Sequence, residues 1–235
     1  MGIIRIVSAT LMAAMLWCVS GTPAATAQVH RQAGPQINAL FLGDSYSVGV
    51  GATPWTNGFV YKVSEHYDWR VFNYAARAVG YLKGDTETSL PKLGHCLSPQ
   101  GCPHLIEQFE IALQAGVSPD IVFVSGGRND APGATFEAAV QALLDDIQLK
   151  APHAKIFVTS PISYGPEQKV MADKVQIVRD ACRDRHVTFI ELGAPLLTHT
   201  GLLYRDQIHP SNRGHQLLAN KIIKRIDSEK PNFGF

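Results

Sequence analysis

Five short apolar runs recur along the chain, and stretches of helical periodicity separate them. Residues 37–42 are apolar except for Asn38 and read as a strand buried on both faces. Residues 69–74, 121–124, 155–159 and 187–191 give four more strands. Residues 58–67 place Phe59, Val60, Val63 and Tyr67 at helical spacing, and residues 105–115 form a helix ended by Gly116. Residues 136–149 carry Val140, Leu143, Leu144 and Ile147 on one face. Residues 168–185 offer Val170, Met171, Val175, Ile177, Val178 and Cys182 to an inner face, and residues 216–226 close the series as a helix. Strands alternating with helices predict an α/β fold, a three-layer α/β/α sandwich on a mainly parallel five-stranded sheet. The connection over residues 75–104 is long and irregular, with Gly80, Gly84, Pro91, Gly94 and Pro99, and connections of that length usually carry function or a short helix.

The first residues fall outside this pattern. Arg5 precedes an apolar run from 6 to 19 that is short for a membrane span, and Ala25-Thr26-Ala27 has the form of a cleavage site. Residues 1–27 therefore read as a secretory signal peptide, with an uncleaved anchor as the alternative. Residues 28–36 read as a polar leader and residues 37–235 as a single domain. This predicts a protein that is secreted or held in the cell envelope, with no membrane span after cleavage. Apolar residues make up 46% of the 235 and charged residues 17%, enough apolar material for a core. The net charge is +1 and no basic run is present, which argues against a nucleic-acid partner. Export permits disulfides. Cys96 and Cys102 lie close together in one loop and are predicted to pair, leaving Cys182 as a buried thiol. His95 and His104 flank the pair, but the spacing is unlike the common zinc patterns, so no metal is assigned.

Three stretches carry candidate chemistry. The first apolar run ends in Gly43-Asp44-Ser45, a tight turn that would hold the Ser45 hydroxyl at the sheet rim. The third strand runs into Gly126-Gly127-Arg128-Asn129-Asp130, where the Asn129 amide is able to donate to a developing oxyanion. Asp206 stands three residues before His209, with Pro210 after it. One turn then brings the carboxylate to Nδ1 and leaves Nε2 to take a proton from a serine. Ser45 and Asn129 both follow strand ends, so they share the carboxyl rim where parallel sheets form their sites.

In this order the stretches resemble the SGNH (GDSL-type) hydrolase family. Gly43-Asp44-Ser45-Tyr46 matches its first block, Asn73 the asparagine opening its second, Gly127-Arg128-Asn129-Asp130 its third, and Asp206 with His209 its fifth. The resemblance implies a flavodoxin-like fold, commonly with strand order 2-1-3-4-5. It implies Ser45 as nucleophile, His209 as base and Asp206 as its orienter. The oxyanion donors would be the Ser45 N–H, a second-block N–H and the Asn129 side chain. No metal or cofactor is implied. The second block departs from the family, because Ala78 stands where glycine is usual. Alanine keeps the N–H, but a left-handed backbone there costs it about 1–2 kcal/mol. Arg77, Trp55 and Tyr81 are candidate substrate-binding residues, with Phe59 assigned to packing.

The expected reaction is hydrolysis of a carboxylic acyl ester, on a lipid, an acylated carbohydrate or a small molecule, through an acyl-enzyme. Carbohydrate O-deacetylation or acyl transfer at the same site is the alternative. A catalytically weak carbohydrate- or lipid-binding module is the non-enzymatic one. No serine fits the Gly-x-Ser-x-Gly elbow of α/β-hydrolases. His209 and His215 lack the His-Glu-x-x-His pattern of a zinc hydrolase. Native mature protein should begin near Gln28 and carry one free thiol. Three free thiols, or an intact Met1 on exported protein, contradict these two expectations respectively.

Overall fold

In the computed structural model, which describes residues 36–84, 101–163 and 168–229, all five apolar runs become strands. They are β1 (Asn38–Gly43), β2 (Arg70–Asn73), β3 (Ile121–Ser125), β4 (Lys155–Thr159) and β5 (Thr188–Ile190). All pair in parallel, in the order β2-β1-β3-β4-β5. The helices are α1 (Ser45–Val48), α2 (Phe59–Tyr67), α3 (Leu105–Gln114), α4 (Ala134–Lys150), α5 (Gln168–Asp184) and α6 (Asn212–Glu229).

The period of two along each strand divides the core into two layers. Leu40, Leu42, Val122 and Val124 face one way, onto Leu105 and Phe109 of α3, Phe136, Val140 and Leu144 of α4, and Val178 of α5. Ala39, Phe41, Ile121 and Phe123 face the other way, onto Phe59 and Val63 of α2 and Leu218 and Ile222 of α6. Phe41, Phe123 and Phe157 stand in register on three adjacent strands, with ring centroids 5.2 and 6.2 Å apart. The expected signal peptide, the expected leader up to residue 35, Cys96 and His95 lie outside the described residues. Cys102 is buried, and Cys182 is a buried free cysteine whose thiol burial pushes up to about 12.

One helix departs from the sequence expectation. The turn holding Ser45 is a four-residue helix, too short for any periodicity to show. Helix α6 begins at Asn212, within the stretch 211–215 that the sequence offers as its start, and Ser211 caps it: the Gly214 N–H donates to its hydroxyl and the His215 N–H to its carbonyl. Gly214 stands in its first turn, although glycine is a poor helix former. It is needed there because a Cβ would overlap the Leu202 carbonyl and crowd Pro210.

His215 then fastens α6 to the nucleophile side of the sheet. It is fully buried; Nδ1 accepts from the Phe59 N–H at 3.3 Å, and Nε2 donates to the Val50 carbonyl at 3.0 Å. Only the neutral ring fits both partners. Burial is the main cause that pulls its pKa down to about 4.

Candidate active site

Ser45 is the first residue of α1, where β1 ends against the carboxyl edge of the sheet. Gly43 serves here by its size. Its φ is not left-handed, but a Cβ would overlap Ser47 and the Ser125 carbonyl. Gln108 of α3 secures the same peptide, accepting from the Gly43 N–H at 2.8 Å and donating to its carbonyl at 3.0 Å. Asp44 caps α1 by accepting from the Tyr46 N–H at 2.9 Å. Burial pushes the Asp44 carboxyl up to about 7, against the lowering effect of the Tyr46 N–H and the Arg128 charge.

The structure brings Asp206, His209 and Ser45 into one line. His209 Nδ1 is 2.7 Å from Asp206 Oδ2, and His209 Nε2 is 2.9 Å from Ser45 Oγ. The other oxygen of Asp206 accepts from the N–H groups of Ile208 (2.9 Å) and His209 (3.0 Å). One carboxylate thus shapes the turn and orients the ring it carries. Burial alone would raise the Asp206 pKa, but the His209 and Ile208 N–H groups and the imidazole outweigh it and hold it below the ordinary value. With a proton fixed on Nδ1, the Nε2 lone pair faces the serine hydroxyl. Tyr46 steadies the same turn from below: its hydroxyl donates to the Ile208 carbonyl at 2.6 Å, and its ring lies 5.7 Å from the imidazole.

The oxyanion candidates lie on two loops knitted together. The Asn129 amide donates to the Val79 carbonyl at 2.8 Å, leaving its second hydrogen available. Asp130 Oδ2 accepts from the Tyr81 N–H at 2.9 Å, and its Oδ1 from the N–H groups of Leu82 (2.9 Å) and Lys83 (3.0 Å). Gly80 is required for this approach, because a Cβ would overlap the Asp130 carboxylate. Ala78 has φ 59°, a left-handed conformation. Among the described residues, the N–H groups of Ser45 and Ala78 take part in no hydrogen bond. Asn73 donates to the Ser47 carbonyl (2.9 Å) and accepts from the Ala75 N–H (3.2 Å), tying the second block to α1.

The three substrate-binding candidates fare differently. Tyr81 is corrected: it is 3% exposed and packs edge-on against Phe136 in the core, its centroid 5.6 Å away. The Asp130 carboxylate grips its N–H, and the ring turns inward, where burial drives the phenol well above its ordinary pKa. Arg77 is partly buried, which lowers the pKa of its guanidinium. Trp55 is 58% exposed, on a short 3-10 turn (Trp55–Asn57), with Tyr61 edge-on at 4.5 Å. Its loop is braced against the start of α6, where Asn212 and Thr53 exchange hydrogen bonds of 2.8 and 2.7 Å. Sequence reasoning gave Asp130, Gln108 and the Tyr46 hydroxyl no role. Asp130 alone left a signal, as the last residue of the third block.

The chain belongs to the GDSL-like lipase/acylhydrolase family, whose sequence pattern matches residues 41–217. It is, by class, an ester hydrolase. No curated protein matches the sequence. The fold is similar to that of a lipolytic protein of the G-D-S-L family from Desulfitobacterium hafniense DCB-2, at 16% identity and TM-score 0.61, covering 81% of this chain and 99% of that one. It is also similar to a family two carbohydrate esterase from Clostridium thermocellum, solved in complex with cellohexaose. There the identity is 18% and the TM-score 0.64, over 85% of this chain and 67% of that one. A two-domain esterase active on acetylated mannans aligns at 16% identity and TM-score 0.62, over 82% of this chain and 49% of that one. The chain thus spans about half of that esterase. At these identities the likeness speaks to the fold alone. No described helix is long and apolar enough to cross a membrane.

Two predictions follow from this geometry. Ala78→Gly removes the left-handed penalty of about 1–2 kcal/mol but adds about 0.5–1 kcal/mol of unfolded-chain entropy, so urea unfolding should show a gain of up to about 1.5 kcal/mol. A loss contradicts the left-handed assignment. Asp44 and His215 should oppose each other between pH 4 and 7. Asp44 keeps its proton in the folded state up to about 7, so its contribution is full below the unfolded value of 3.8 and is lost as pH rises. His215 stays neutral down to about 4, so its contribution is full above 6.5 and is lost as pH falls. Asp44→Asn should unmask a stability loss on acidification, on the order of 3 kcal/mol, and His215→Asn a loss on raising the pH. Unfolding free energies at several pH values in that window check both slopes.

Proposed function

We propose that this protein is a secreted serine esterase that hydrolyses carboxylic acyl esters at Ser45. The observation that carries the reading is the Asp206–His209–Ser45 line, at 2.7 and 2.9 Å. Ser45 Oγ attacks the ester carbonyl carbon while its proton passes to His209 Nε2. Asp206 stays ionised and holds the imidazolium. The tetrahedral oxyanion accepts from the Ser45 N–H, the Ala78 N–H and the second amide hydrogen of Asn129. As the C–O bond breaks, His209 gives its proton to the departing alcohol and an acyl-enzyme remains. Water, deprotonated by His209, then attacks the acyl carbon and releases the acid; a second hydroxyl in place of water makes the reaction acyl transfer.

Support for export is the pattern of residues 1–27, and the Cys96–Cys102 disulfide belongs to the same reading. The substrates are acyl esters of modest chain length in the envelope or medium. Carbohydrate O-deacetylation is the second reading, and Trp55 favours it: an exposed indole braced by Tyr61 offers a flat face to a sugar ring. Arg77, partly buried beside Ala78, is the candidate for holding sugar hydroxyls or an anionic group.

A chain-length series of acyl esters and a set of acetylated sugars should be assayed side by side. Ser45→Ala should abolish turnover, and Asn129→Ala should lower kcat on the order of 10²–10³-fold. Turnover that survives Ser45→Ala sinks the serine mechanism. Activity confined to acetylated sugars, with KM raised by Trp55→Ala, selects the deacetylase reading. Binding without Ser45-dependent turnover selects the binding module.

A further inference from the structure

Helix α5 turns an apolar stripe inward, with Met171, Val178, Ala181 and Cys182 buried. Lys174 sits on that stripe, 3% exposed. A lysine is almost never buried so deeply without specific partners, because stripping water from an ammonium is costly. Its Nζ donates to the Arg128 carbonyl at 2.9 Å and to the Asp130 carbonyl at 3.0 Å. These carbonyls belong to the residues on either side of Asn129.

The clamp reaches further than one residue. Asn129 holds the Val79 carbonyl, and Asp130 holds the N–H groups of Tyr81, Leu82 and Lys83. Ala78 lies immediately before that stretch, in its left-handed conformation. We propose that Lys174 is a positioning residue for oxyanion stabilisation. Its buried ammonium fixes the peptides around Asn129 and so aims the Asn129 amide and, through Val79 and Asp130, the Ala78 N–H. The proposal rests on the esterase reading above, in which Asn129 is an oxyanion donor. Lys174 touches no reacting atom; its effect on the rate passes through Asn129 and the loop behind it.

A double-mutant cycle on a soluble acyl ester tests this. Lys174→Met keeps an unbranched side chain one atom shorter and removes its donors. Alone it should lower kcat on the order of 10–100-fold with KM nearly unchanged, since the loss is confined to the transition state. In an Asn129→Ala background the same substitution should cost only a few-fold more, because residues acting as one unit are not additive. Lys174→Gln, which retains a donor, should recover part of the rate. An equal loss in both backgrounds overturns the proposal, because a merely structural lysine would lower the active fraction alike in each. An unchanged kcat in Asn129→Ala alone overturns the oxyanion reading itself, and with it the proposal. Should Lys174→Met fail to fold, the unmodified protein decides. In a 15N-lysine spectrum the Lys174 ammonium should exchange its protons at least about tenfold more slowly than exposed lysines. Exchange at the exposed rate overturns the proposal.

Discussion

The carboxylate of Asp130 is the tie on which the site's second side depends. Parallel strands end on one rim, and each delivers a loop whose backbone groups have lost their ladder partners. Asp130 collects three such N–H groups from the loop after β2 while sitting on the loop after β3. Hydrogen bonds to a charged group contribute about 1.5–3 kcal/mol each, and a buried network of them defines one arrangement rather than several. Gly80 yields the space, Asn129 adds the fourth bond at Val79, and among the described residues the Ala78 N–H has no hydrogen-bond partner. Two loops that would otherwise move separately become one wall.

The opposite wall is built on a turn rather than on a strand end. Asp206 spends one oxygen on the backbone of Ile208 and His209 and the other on the imidazole, while Tyr46 holds the Ile208 carbonyl. The residue that carries the proton is therefore fixed by its own orienter and by the neighbour of the candidate nucleophile. Asp44 and His215 frame this region from within. Both are buried and shifted by desolvation, each toward its neutral form. Their linkages with pH therefore run in opposite directions.

The fold was readable because short, mostly apolar runs alternate with helical periodicity, and β1 and β3 are buried almost throughout. Ser45, Asn129, Asp206 and His209 were readable because each stands at a short local pattern beside a strand end or a turn. What escaped was set by distance along the chain. Asp130 meets its partners nearly fifty residues away, so no window of sequence shows that it is a clamp. Lys174 occupies a helical position that a charged residue normally turns to solvent, and it runs inward to two carbonyls of the facing loop. Tyr81 was misread for the same reason: an aromatic in a long irregular loop suggests a pocket wall, yet the grip on its N–H and the nearby ring of Phe136 send it into the core. Ala78 was the intermediate case, since its left-handed geometry was foreseeable only from the glycine usual at that place.

The last helix carries a consequence of a different kind. The bonds that complete the site, Ser45 to His209, Tyr46 to Ile208 and His215 to Val50, span 164, 162 and 165 residues. A ribosome releases the serine long before the histidine, and contacts of such separation form late. Until the turn that carries His209 docks, the Ser45 hydroxyl has no imidazole beside it. The order of residues along the chain thus ties the Ser45–His209 contact to the docking of its last fifth against its first.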